Sequence, residues 1–93
     1  MEQSEQQWPY KDPVDVIVHK FRMGDVDDPD LYAAQPLYDW EHSEIGQWVM
    51  QHSISTPTWY RVADHYNFGH VYIVKATFDS KSHLIWKLKY AHW

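Results

Sequence analysis

The amino-acid sequence predicts an α+β fold: a mostly antiparallel sheet in the order β-α-β-β-β, with one main amphipathic helix packed on one face. Several short runs rich in β-branched and aromatic residues are bounded by Gly, Pro, Asp or Ser, as strands are. One longer stretch, residues 36–52, instead repeats apolar residues at helical spacing. The chain has 93 residues, a length that suits one domain.

The first 13 residues differ from the rest in composition. They are rich in Gln and Glu and end in a segment with two prolines, Pro9 and Pro13, which disfavour a helix. We therefore expect a flexible N-terminal arm over residues 1–13 and a single α+β domain over residues 14–93. Trp8 and Tyr10 indicate that the arm docks, more readily on its own domain than on a partner.

The first strand is predicted at residues 14–23, VDVIVHKFRM, which are rich in Val and Ile. Strict alternation places one set of side chains on one face: Ile17, His19, Phe21 and Met23. Asp28 and Pro29 then have the order of a helix cap followed by a first helical residue. The acidic residues at 25–30 favour this capping role over a cation site, because their spacing lacks the mid-loop glycine of a calcium loop.

The main helix is expected to present one apolar arc to the sheet. That arc contains Ala34, Leu37, Tyr38, Ile45, Trp48, Val49 and His52. Glu41 falls in the same arc, so its carboxylate should lie at the rim or have a partner. Gly46 falls outside the arc, where it weakens the helix or lets another group approach closely.

Three further strands are expected at residues 58–66, 70–78 and 83–90, separated by turn-forming segments. In the last of these, HLIWKLKY, apolar residues recur at every second position. We therefore expect Leu84, Trp86 and Leu88 on the sheet face that receives the helix. An edge strand with few charges would remain at residues 14–23 or 58–66, and such an edge tends to pair. We accordingly expect a homodimer, which would bury that edge.

Composition narrows the class of partner. The formal net charge is −5, which makes binding to nucleic acid unlikely because no basic field would attract phosphates. The chain has no cysteine, so it forms no disulfide or thiolate metal site. It also has no apolar run of membrane-spanning length and no secretory leader, and we expect a cytoplasmic protein that does not bind membranes.

No catalytic, cofactor or metal motif is present. The histidines are not at zinc-binding spacing, and no serine lies in a nucleophile elbow. One alternative is a small enzyme or metal-dependent protein that uses Glu41 with histidines. A second is a single-stranded nucleic-acid binder that uses the aromatic residues around Trp59 and Phe68. That hairpin has few basic residues, so ordinary packing is favoured.

A binding surface is predicted around Trp40. Trp40 falls outside the apolar arc, so helical periodicity does not account for it, and an indole bordered by polar groups is typical of a binding hot spot. Aromatic residues make up 17% of the chain, more than one small core needs. The candidate binding residues are Trp40, Glu41, Glu44, Trp59 and Phe68. The alternative for Trp40 is that the acidic loop or the N-terminal arm covers it as part of a satellite core.

Residues 19–53 resemble small uncharacterised proteins of large tailed phages, especially phages of marine cyanobacteria. The similarity lies in Gly24-Asp25, Asp28-Pro29-Asp30, Trp40 and the run Gly46-Gln47-Trp48-Val49. It implies a phage product acting inside the host or built into the particle, and it implies no cofactor or catalytic residue. Together with the aromatic surplus, the sequence predicts a small non-catalytic protein-binding module, a phage accessory protein acting on a host or phage protein.

Overall fold

The structure is a computed structural model that describes residues 13–66 and 68–91. Residues 1–12 of the predicted arm lie outside the described residues. The elements, in chain order, are β1 (Val14–Met23), α1 (Pro29–Glu41), α2 (Glu44–His52), β2 (Thr58–Asp64), β3 (Gly69–Phe78) and α3 (Ser80–Lys89).

The three strands form one antiparallel sheet in the order β1-β3-β2. β3 is central, and its side chains alternate between a buried face and a half-buried face. The buried face carries Tyr72, Val74, Ala76 and Phe78 and lies against the helices. The predicted α+β class is confirmed, and so are the first three strands to within a few residues.

A β-bulge at Val18 changes which residues of β1 face the core. The pairing of β1 with β3 shifts between Ile17 and His19, so Val18 is an extra residue in β1. Val18 is buried in the core, whereas Ile17 is 52% exposed. The prediction that Ile17 shares a face with His19 and Phe21 is therefore wrong, because strict alternation does not continue through a bulge.

The predicted single helix at residues 36–52 is two helices with a break at His42 and Ser43. Ser43 caps α2 by accepting a hydrogen bond from the Gly46 backbone N–H at 3.1 Å. Leu37, Trp48 and Val49 pack in the core as expected. Ile45 does not, because the break resets the helical phase and leaves it on an exposed face.

The predicted last strand is the helix α3. Asp79 caps it, accepting a hydrogen bond from the Ser82 backbone N–H at 2.7 Å, and this bond holds the pKa of Asp79 below its usual value. Trp86 is buried, but Leu84 and Leu88 are exposed. The prediction that these three residues share a core-facing strand is therefore wrong, since residues two apart on a helix point in different directions.

The core is an aromatic cluster where α2 and α3 meet the end of β3. The Trp48 ring lies 5.8 Å from Phe78, 6.2 Å from Trp86 and 5.7 Å from Tyr90, measured between centroids. These separations suit tilted and edge-to-face aromatic contacts. The core therefore gathers at one end of the sheet, next to the beginning of β2, where Trp59 pairs with the core residue Val74.

Candidate functional site

A cleft of about 250 Å³ lies between the helix pair and the beginning of β2. Its lining is mostly apolar, with one carboxylate: Leu37, Trp40, Glu41, Met50, Thr56, Pro57, Thr58, Trp59 and Val74. Three predicted binding residues, Trp40, Glu41 and Trp59, are therefore brought together from α1 and β2. A concave apolar site with a single charged group is the usual composition of a binding pocket.

The break between α1 and α2 fixes the Trp40 backbone. The Ser43 hydroxyl donates a hydrogen bond to the Trp40 carbonyl oxygen at 2.6 Å. Gly46 packs directly on the same carbonyl, since a Cβ atom at Gly46 would lie 1.9 Å from that oxygen. Of the two roles predicted for Gly46, close approach is the one that the structure shows. A larger residue at this position would displace the end of α1, which carries Trp40 into the cleft.

The Trp40 ring packs against the imidazole ring of His19. The two rings stack with centroids 5.3 Å apart and planes inclined by 15°. Trp40 is half-buried and packs against the core, because α1 turns inward the face that carries Ala33, Leu37 and Trp40 and not the arc predicted for one continuous helix. Partial burial lowers the pKa of His19 below 6.5, because a charged imidazole loses hydration there. Trp40 thus belongs to the core and to the cleft wall at once.

Trp59 forms the opposite side of the cleft. It pairs with Val74 in the sheet register, and its ring lies 5.5 Å from the ring of Tyr72, which is fully buried. Trp59 itself is 45% exposed. An indole that rests on a buried ring and still shows almost half its surface is well placed for contact with a partner.

The beginning of α1 is tied to the sheet by Asp30. Tyr72 donates its hydroxyl hydrogen to Asp30 Oδ1 at 2.5 Å, and Arg61 Nη1 donates to the same oxygen at 2.9 Å. Burial is the main cause that raises the pKa of Tyr72 above its usual value, and the hydrogen bond to Asp30 raises it further. Asp28 occupies the cap position of α1 but makes no side-chain capping bond. Among the acidic residues at 25–30, Asp30 in the first turn of α1 is therefore the one that joins α1 to β2 and β3.

The other two predicted binding residues lie elsewhere. Glu44 is exposed in the first turn of α2 and does not line the cleft. Phe68 is 77% exposed in the turn between β2 and β3, where it lines a separate hollow with His65 and His70. Glu41 itself is exposed at the rim, one of the two positions expected for it. The structure thus assembles three of the five residues.

The geometry does not favour the two alternative functions. No histidine lines the cleft with Glu41, and within residues 13–66 and 68–91 no group of three His, Asp or Glu residues is placed to hold a metal ion. The aromatic residues of the hairpin do not form one platform either. Tyr72 is buried on the helix side, Tyr60 alternates with Trp59 and so lies on the opposite face, and Tyr66 lies in the turn.

Several lining residues were not expected from the sequence. Met50 is not in the predicted apolar arc, yet it lines the cleft, because α2 begins anew at Glu44 and does not continue the phase of α1. Thr56 and Pro57 lie in the connection between α2 and β2, for which the sequence predicts no binding role, and both line the cleft. No local pattern identifies such residues, because the cleft forms only when β2 pairs with β3 beside α1.

No helix in the described part of the chain has both the length and the apolar character needed to cross a membrane. Comparison of the chain with protein-family models, with curated proteins and with solved structures finds no match.

Proposed function

We propose that this chain is a non-catalytic protein-binding module whose contact surface is the cleft lined by Trp40, Glu41 and Trp59. The proposal is supported by the convergence of Trp40 and Glu41 of α1 with Trp59 of β2 on one apolar cleft. Tryptophan is enriched among residues that dominate binding free energy, particularly where surrounding apolar contacts exclude water.

The carboxylate defines the chemistry of the partner. Glu41 lies at the rim, and no described residue forms an ion pair with it. A basic side chain beside an apolar one would fill the cleft and reach this carboxylate. The net charge of −5 also favours approach of a basic segment. The partner segment therefore carries an Arg or Lys next to a large apolar residue.

The cellular setting follows from the resemblance of residues 19–53 to proteins of tailed phages. On this basis the module is a phage accessory protein in the host cytoplasm, and its partner is a host or phage protein. We further propose a homodimer. β2 is an edge strand, and its residues from Thr58 to Ala63 are all exposed, which supports pairing with another chain.

The cleft proposal is tested by selecting binders from a random peptide library displayed on yeast, with the full-length chain as bait. Selected peptides should share an apolar residue next to Arg or Lys. Trp59→Ala should weaken their binding at least about tenfold, which corresponds to about 1.4 kcal/mol. Leu88→Ala is the matched control, since Leu88 is exposed on α3 and does not line the cleft. Peptides without this motif, or peptides that bind Trp59→Ala unchanged, would contradict the proposal.

A further inference from the structure

The two edges of the sheet differ in their ability to pair. β1 carries a bulge at Val18 and three charged residues, Asp15, Lys20 and Arg22, and such features block pairing with another strand. β2 pairs with β3 without a register shift from Thr58 to Asp64. β2 is therefore the edge that can accept a further strand.

Apolar surface continues on both sides of β2. Tyr60 and Val62 lie on the sheet face opposite the helices, and each is more than 40% exposed. On the helix side, Trp59 is similarly exposed, whereas Arg61 lines a hollow with the acidic residues Asp28 and Asp30, at the edge of which Leu31 is also exposed. Strand pairing at this edge would thus cover apolar side chains on two faces in addition to backbone groups.

We propose that β2 pairs antiparallel with β2 of a second copy of this chain, with Tyr60 on the two-fold axis. The inference rests on the homodimer part of the proposed function and assigns its interface and register. The two sheets would join into one continuous sheet, with the helices of both copies on the same side. The Trp40 and Glu41 walls of the cleft, which belong to α1, lie outside the paired strands.

Symmetry restricts the register to a few choices. Residues directly opposite each other in a sheet have their side chains on the same face. A two-fold axis perpendicular to the sheet must therefore pass between the two copies of one residue. An axis at Arg61 would place two guanidinium groups opposite each other, which is unfavourable. An axis at Val62 would place Asp64 opposite Tyr60 and leave Trp59 outside the pairing.

An axis at Tyr60 has none of these costs. It places the two Tyr60 side chains against each other, Thr58 opposite Val62 of the second copy, and Trp59 opposite Arg61 of the second copy. A guanidinium next to an indole forms a favourable cation–π contact, and paired aromatics stabilise antiparallel strands. This register uses five consecutive residues of the exposed strand and opposes no like charges.

The register is tested by oxidative cross-linking of full-length variants, since the natural chain has no cysteine. At the axis, opposing Cα atoms should lie about 4.5–5.5 Å apart, within the range of a disulfide. Val62 lies two residues from the axis in each copy, so its two copies are separated by four residue steps along the strand. At about 3.4 Å per residue, that is roughly 14 Å. Tyr60→Cys should therefore form a disulfide-linked dimer at least about tenfold faster than Val62→Cys or Arg61→Cys.

A second variant keeps Tyr60 intact. Thr58→Cys combined with Val62→Cys should cross-link between copies, because these positions face each other in the proposed register. Faster cross-linking of Val62→Cys or Arg61→Cys alone would overturn the register while leaving a homodimer in place. Light scattering that finds only monomer at high micromolar concentration would overturn the dimer itself, and peptide binding by Glu41 variants would still test the cleft independently, because Glu41 lies on α1, outside the paired strands.

Discussion

The imidazole of His19 lies face to face with the indole of Trp40, with ring centroids 5.3 Å apart and planes inclined by 15°. His19 comes from β1, immediately after the bulge, and Trp40 from the end of α1. This contact connects the sheet to the cleft, because it fixes one face of the Trp40 ring while the cleft uses another part of the same residue. The charge state of His19 should therefore affect the stability of the fold around the cleft.

Acidification should destabilise the folded chain through His19. Burial lowers the pKa of His19 in the folded state, so between that pKa and about 6.5 the unfolded state binds more protons. The free energy of unfolding should consequently rise with pH across this window and level off above about pH 7. Urea denaturation at a series of pH values measures this directly.

The contribution of His19 is isolated by His19→Phe, which retains an aromatic ring against Trp40 and does not titrate. This variant should show a shallower pH dependence than the natural chain. His65→Phe, on the exposed turn after β2, is the matched control and should leave the dependence unchanged. An identical pH profile for His19→Phe and the natural chain would remove His19 as its source.

Gly46→Ala should be strongly destabilising, although alanine is normally the better helix former by about 1 kcal/mol. The added methyl group would lie 1.9 Å from the Trp40 carbonyl oxygen, so α1 and α2 must separate. We expect a loss of about 3 kcal/mol or more in urea unfolding. Gly24→Ala is the control, since a Cβ atom there meets nothing within 4 Å and its stability should change little. Equal stability of the two variants would show that the contact at Gly46 is not restrictive.

Trp86 and Leu88 distinguish a helix from a strand at the end of the chain. Trp86 is buried, so Trp86→Ala should cost about 3–5 kcal/mol in thermal or urea unfolding. Leu88 is 69% exposed, so Leu88→Ala should change stability by less than about 0.5 kcal/mol. Comparable losses in the two variants would mean that both residues face the core, as they would on a strand.

The strands were predictable because their signals are local. β1 has the predicted limits, Val14 to Met23, since a run of β-branched residues lies between Pro13 and Gly24. The prediction of a strand at residues 83–90 was wrong because it also depended on local signals, and these conflict in that segment. Its alternating apolar residues favour a strand, but Asp79 caps a helix that begins at Ser80, and Lys87 and Lys89 suit a helix C-terminus.

The site was predictable only residue by residue. Trp40, Glu41 and Trp59 each stood out in the sequence, Trp40 and Glu41 by their position relative to the helical arc and Trp59 within an aromatic hairpin. Their convergence depends on the helix break at Ser43 and on the pairing of Trp59 with Val74. The strand pairing is a tertiary feature, which no periodicity in the sequence contains. The Ser43 cap is local, but it lies within an apolar spacing that favours one continuous helix.

We propose that the cleft binds a protein segment and that Glu41 selects the basic residue of that segment. The most direct measurement is fluorescence anisotropy with the tightest peptide from the library and with its counterpart in which the basic residue is replaced by Glu. The natural chain should prefer the basic peptide at least about tenfold, and Glu41→Lys should reverse this preference. Glu44→Lys makes the same charge change outside the cleft and should retain the original preference. If Glu41→Lys also retains it, or if both variants lose it equally, Glu41 does not contact the partner and the account of the cleft is wrong.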